Sequence, residues 1–216
     1  MSTREARMSG DRMSQAWDWL STYPIHPHPE LGRDGVVCPY MVKAIRRRYV
    51  TMEEFDATQG DEALMALARK LRAGVLEKAA ELGSDRLYLV GMAVPYGLPE
   101  PELKAMVARV HAALKPEFVA LGLMIGDFWP EHETIGLHND DFRPFTSPMP
   151  LLGMRHITPA DLPFFVKHEP DPDDRLRLLA NFRRLFEGRL NAYWTDRLNE
   201  SVREAEKERE STRVPA

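Results

Sequence analysis

Apolar residues recur at two different periods along this chain. Over 61–82, Leu64, Leu67, Leu71 and Val75 stand three and four positions apart. That spacing lays one stripe on a helix, with Asp61 near its start and Gly83 as its stop. Leu103, Met106, Val107, Val110 and Leu114 form a second stripe over 99–114, with Pro99 and Pro101 in its first turn and Lys115-Pro116 closing it. Elsewhere the apolar residues run together. Residues 86–94 read RLYLVGMAV, 118–125 read FVALGLMI, and 151–157 form a third run. Runs of this kind predict strands covered on both faces.

The flanks are less regular. Trp17 and Leu20 suggest a short amphipathic helix over 13–20. From Tyr23 to Glu30 the repeated prolines remove donors and extend their neighbours, which predicts an ordered strap and no regular element. Residues 41–50 fit a helix or a strand. Thr158, Pro159 and Asp161 have the order of an N-cap, a first helical position and half a capping box. Leu176, Leu179, Phe182 and Phe186 mark a helix over 171–187, and a further helix follows Gly188 over 189–208. Helices alternating with strands predict an α+β (or α/β) fold, with a central mixed β-sheet flanked by helices. A single globular domain over 13–208 is expected, with loose tails at 1–12 and 209–216.

Composition narrows the partners. The 216 residues carry a net charge of −4, with 44% hydrophobic and 29% charged positions. An acidic balance does not favour nucleic acid, whose phosphates need a cationic face. The run Arg46-Arg47-Arg48 reads as a solvated face or an anion clamp. Cys38 is the single cysteine, so neither an internal disulfide nor a cysteine-rich zinc site can form. That suits the cytoplasm. The polar opening MSTREARMSGDR has no signal-peptide core, and no run is long enough to imply a membrane span.

Candidate chemistry gathers where two apolar runs end. The run over 118–125 empties into Gly126-Asp127, then Glu131, His132, His138 and Asn139. The run over 151–154 ends at Arg155-His156. If both strands deliver to one place, His138 is the acid–base group there, Asn139 orients a substrate, and Asp127 adds a carboxylate. Arg155, with Arg33 from the strap, would grip an anionic group, and His156 lies beside it. Alternation sends Arg155 and His156 to opposite faces, so only one faces the site. The plainer readings are a capped turn at His138-Asn139 and a salt bridge from Arg155 to Asp127 or Asp141. Asp127, Glu131, His132 and His138 also admit a metal site of two histidines and a carboxylate, although their spacing matches no tight helical pair. No dinucleotide fingerprint, phosphate loop or nucleophile elbow occurs, so no cofactor is expected.

Two blocks carry a resemblance. One is His28-Pro29-Glu30-Leu31-Gly32-Arg33-Asp34-Gly35-Val36-Val37-Cys38-Pro39. The other is Gly136-Leu137-His138-Asn139 with Phe142, Pro144, Ser147-Pro148, Pro150 and Arg155. Together they resemble a family of actinobacterial proteins often met beside natural-product biosynthesis genes, over most of the chain. The chain is also similar to the two-protein enzymes of azinomycin-type pathways, which close an aziridine ring by expelling sulfate. The resemblance implies a small-molecule enzyme of specialised metabolism, but it carries over no catalytic residue position by position. The rival expectation is a non-catalytic partner subunit. In that case Phe182, Phe186, Tyr193 and Trp194 on the C-terminal helices would form a homo- or hetero-dimer interface.

Overall fold

Each apolar stripe is placed by the surface it has to cover. A computed structural model describes the backbone of residues 3–213 and the side chains of residues 11–212. The chain forms two compact units. One comprises residues up to Lys115 with Met124–His156, the other Pro116–Leu123 with the residues from Ile157 onward.

The first unit is built on a four-stranded sheet. Its strands are β1 (Val50–Asp56), β2 (Val90–Tyr96), β3 (Leu123–Phe128) and β4 (Leu151–His156), in the order β1-β2-β4-β3. β1 and β2 are parallel, which requires a crossover, and helix α3 (Asp61–Leu82) supplies it. β2 and β4 are antiparallel, with Val90 opposite Arg155 and Ala93 opposite Leu152. Ser147 N–H donates to Trp129 O past one end of β3, and Ile157 N–H donates to Gly122 O before its other end. β3 and β4 therefore run in opposite directions. The sheet is mixed and flanked by helices, an α+β arrangement.

Strand β2 is buried along nearly its whole length. Val90, Met92 and Val94 join Leu151 and Met149 in a cluster completed by Ala16 and Leu20 of α1 (Thr3–Thr22) and by Met41 and Ala44 of α2 (Pro39–Arg47). On the other face, Gly91 lets Met154 and Leu71 of α3 close to the backbone. Each large aliphatic side chain buried this way contributes roughly 1.5–3 kcal/mol.

Several elements differ from the pattern-based expectation. Helix α4 (Glu100–Ala120) continues through Pro116, so Phe118 and Val119 lie in its last turn and not in a strand. Both are fully buried, and that burial outweighs the one backbone bond the proline lacks. The stop is Gly122 at φ +82°, a left-handed position suited to glycine. Residues 83–88 form a 3-10 turn ahead of β2. β1 escapes the pattern because it is an edge strand in which Glu53 and Glu54 break the apolar run. Of the expected loose tails, residues 1–2 and 214–216 lie outside the described residues, while α1 starts at Thr3.

The proline strap is fastened to the 22-residue excursion between β3 and β4, residues 129–150. Asn139 Nδ2 donates to Glu30 O at 2.9 Å, Tyr23 Oη to Arg143 O at 3.2 Å, and Trp19 Nε1 to Thr146 O at 3.1 Å. His28 packs its ring on Phe142. Gly32 sits at φ +74°, where an added Cβ would lie 2.8 Å from the His138 carbonyl oxygen.

The second unit is helical, with α5 (Leu162–Lys167), α6 (Pro172–Leu185) and α7 (Ala192–Arg213). Asp161 and Thr158 complete the expected capping box. Asp171 caps α6 through the amides of Asp173 and Asp174. Arg175 pairs with Glu208 and Arg183 with Asn199, so α6 and α7 lie antiparallel. Buried Arg175 also donates to the carbonyls of Glu169 and Pro170, which satisfies its fork.

Gly32→Ala should cost about 2–4 kcal/mol, combining left-handed strain with a main-chain clash. Gly188→Ala, at φ +66° with open space around it, should cost only about 1–2 kcal/mol. Denaturant melts of the two variants check the difference; equal losses would show that the strap contact contributes nothing.

Candidate functional site

One helix, one strand end and one turn bring two imidazoles to a single carboxylate. Lys104 and His111 are two helical turns apart on α4, so they share a flank of its apolar stripe. On β3, alternation turns Phe128 toward Trp19 and Phe145, and Asp127 to the opposite face. There the Asp127 Oδ2 lies 3.2 Å from His111 Nδ1. Glu131, at φ +55°, reverses the chain and returns His132. His132 Nε2 stands 3.7 Å from Asp127 Oδ1, beyond the length of a hydrogen bond. Thr134 N–H donates to His132 Nδ1 at 3.1 Å. The His132 ring stacks on Trp129 with centroids 3.9 Å apart.

The electrostatics follow from this geometry. Side-chain exposures are 15% for Asp127, 20% for His111 and 5% for His132. Burial alone would push the Asp127 carboxyl up, but the two histidines outweigh it and hold the group well below the usual carboxylate range. Lys104 pairs with Glu133 and holds its carboxyl down to about 2. Glu133 also accepts from Trp129 Nε1 at 3.1 Å, and the Lys104 ammonium lies 5.1 Å from the Trp129 ring centroid. Among the described residues, no three His, Cys, Asp or Glu side chains are grouped to hold a metal ion. The Thr134 contact bears on this too. His132 Nδ1 accepts, so the ring proton belongs on Nε2, and a protonated nitrogen has no lone pair for a metal.

The sequence candidates fall into three places. Asp127 is in the cluster above. His138 and Asn139 lie in the excursion that follows it. His138 is exposed, with its carbonyl against Gly32, and Asn139 spends its side chain on Glu30 O and the Asp141 amide. Arg155 and His156 lie at the far end of β4, because β3 and β4 run oppositely and their C-terminal ends point apart. Arg155 donates to His156 O at 2.8 Å and lies over the Tyr40 ring. Arg33 folds back on the carbonyls of Asp34, Val36 and Val37 within its own turn. The sequence reading groups Asp127 with His138, Asn139 and Arg155, and the structure sets it against His111 of α4 instead. His111, Lys104, Trp129 and Glu133 are missing from that reading. The usable signal was the seven-residue spacing of Lys104 and His111 beside the apolar stripe.

His156 is buried, with no hydrogen bond to Nε2. Burial, then the charge of Arg86, lowers its titration from 6.5 to about 4. Between these values the unfolded chain binds the extra proton, so stability rises with pH across that window and is lost as pH falls through it. The expected span is roughly 2–3 kcal/mol. His156→Leu should flatten this slope in urea melts repeated across the window, whereas an unchanged slope would assign it elsewhere.

No helix among the described residues is long and apolar enough to cross a membrane. No curated protein and no solved structure matches the chain. A family match covers residues 13–197, most of the chain, and the chain therefore belongs to the family described as Domain of unknown function (DUF6875).

Proposed function

We propose that the protein is a small-molecule enzyme working by proton transfer, with His111 as acid–base group and Asp127 as the carboxylate that orients it. The observation that carries this reading is the 3.2 Å contact of His111 Nδ1 with an Asp127 held in its ionised form. In the neutral ring, Nδ1–H donates to Asp127 and leaves the Nε2 lone pair free to take a proton. The imidazolium that forms is then stabilised by the same carboxylate. His111 is part-exposed, so a proton donor from solution can reach the dyad. The expectation that His138 serves as base moves to His111, because His138 has no carboxylate beside it among its described contacts.

The resemblance to aziridine-forming enzymes gives this chemistry a specific form. An amine proton passes to His111 Nε2, and the nitrogen lone pair attacks the neighbouring carbon. The carbon–oxygen bond breaks and sulfate leaves with its electron pair. The steps balance without a redox cofactor, and the reaction suits a cytoplasmic enzyme of specialised metabolism.

Sulfate release from a vicinal amino sulfate tests the reading. His111→Ala should lower turnover at least about a hundredfold, and Asp127→Asn by a similar factor. His138→Ala should retain activity. If His138→Ala alone abolishes release, the base is His138. If the wild-type chain releases no sulfate, the aziridine form of the proposal is wrong.

One observation favours a second reading, a subunit that works through a partner. Tyr193 is 60% exposed, edge-on to Trp194, beside a cleft of about 250 Å³ between α5 and α7. Phe182 and Phe186 do not line that cleft, since Phe182 packs on Phe165 and Phe186 on Phe182. Light scattering after size exclusion should then show a dimer that Tyr193→Ser weakens; a monomer at all concentrations would remove self-association.

A further inference from the structure

His132 has no place in the dyad just described, yet it is the most deeply buried of the three groups. Its ring is fixed from three sides. Trp129 stacks on one face, Phe145 tilts against it at 5.6 Å, and the Thr134 amide donates to Nδ1. A main-chain N–H facing Nδ1 leaves no room for a proton there, so the ring proton must sit on Nε2. That Nε2–H is buried and makes no hydrogen bond. Asp127 Oδ1 lies 3.7 Å from that nitrogen, while the other oxygen of the same carboxylate serves His111.

Resting on the His111–Asp127 reading, we infer that His132 is a positioning residue: a neutral imidazole whose fixed Nε2–H draws on Asp127 and so sets how strongly that carboxylate favours the protonated form of His111. The physical basis is the sharing of one negative charge. A dipole pointed at Oδ1 stabilises the carboxylate whether or not His111 is protonated, and thereby weakens the pull on the second imidazole. Other charged groups are placed differently. Lys104 is two turns away on the same helix and matched by Glu133, and Lys115 lies one turn further along. Asp127 from β3 meets His111 directly, and His132 from the turn reaches the other oxygen of the same carboxylate.

The test is a ring-signal NMR titration of the full chain. Asp127→Asn should move the His111 midpoint down by about one pH unit or more, which examines the dyad itself. His132→Phe keeps the stacked ring but removes the donor, and should move the midpoint up by about half a unit. His132→Gln restores an N–H at the same reach and should return it toward the wild-type value. If Asp127→Asn shifts His111 and His132→Phe does not, the dyad stands and the role of His132 falls. If neither shifts it, the dyad falls as well. The wild-type chain gives an independent check, since nitrogen chemical shifts report the tautomer. A His132 ring protonated on Nδ1 would overturn the inference even if every variant failed to fold.

Discussion

A carboxylate largely removed from water needs compensation, and the arrangement around β3 follows from that need. An uncompensated buried Asp127 would take up a proton or destabilise the strand end that carries it. The chain meets this with an imidazole from a helix and another from a turn. The helix contribution depends on α4 being held within reach of β3, and its Leu103–Leu114 stripe is buried. The turn contribution depends on Glu131 adopting a positive φ, which brings His132 back beneath Trp129. Sheet packing and loop path thus meet at one ionised group.

The strap and the excursion form the second layer of this organisation. Side-chain bonds to backbone carbonyls dominate there: Asn139 to Glu30, Tyr23 to Arg143, Trp19 to Thr146. Such bonds hold irregular backbone in register where no ladder is available. The same burial pushes the Tyr23 hydroxyl up to about 12, with the Glu30 charge adding to it, so the phenol stays a donor at any ordinary pH. The two sequence blocks that carry the family resemblance are therefore the two sides of one fastening.

How much of this was legible in the sequence depended on how local the cause was. The 61–82 helix, the capping box at Thr158 and the strand at 151 were readable because three- and four-residue spacing, cap chemistry and an apolar run are all short-range signals. The end of α4 is not readable in the same way, because Pro116 signals a stop while the burial of Phe118 and Val119 that overrides it exists only in tertiary structure. Asp127 and His132 stood out as chemistry at a strand end. His111 did not, because its partnership with Asp127 depends on which helix covers β3. Arg155 ends an apolar run just as Asp127 does, which suggests convergence, but an antiparallel pair sends its C-terminal ends apart.

The amide of Thr134 has a consequence of a different kind. It belongs to the main chain, so the hydrogen placement on the neighbouring ring is encoded in the path of the polypeptide and not in the identity of any side chain. Relatives could exchange residue 134 for almost any other and keep the same protonation pattern, provided the turn keeps its shape. Proline alone lacks the hydrogen that does this. Comparisons that score residue identity would pass over a determinant that backbone geometry makes plain.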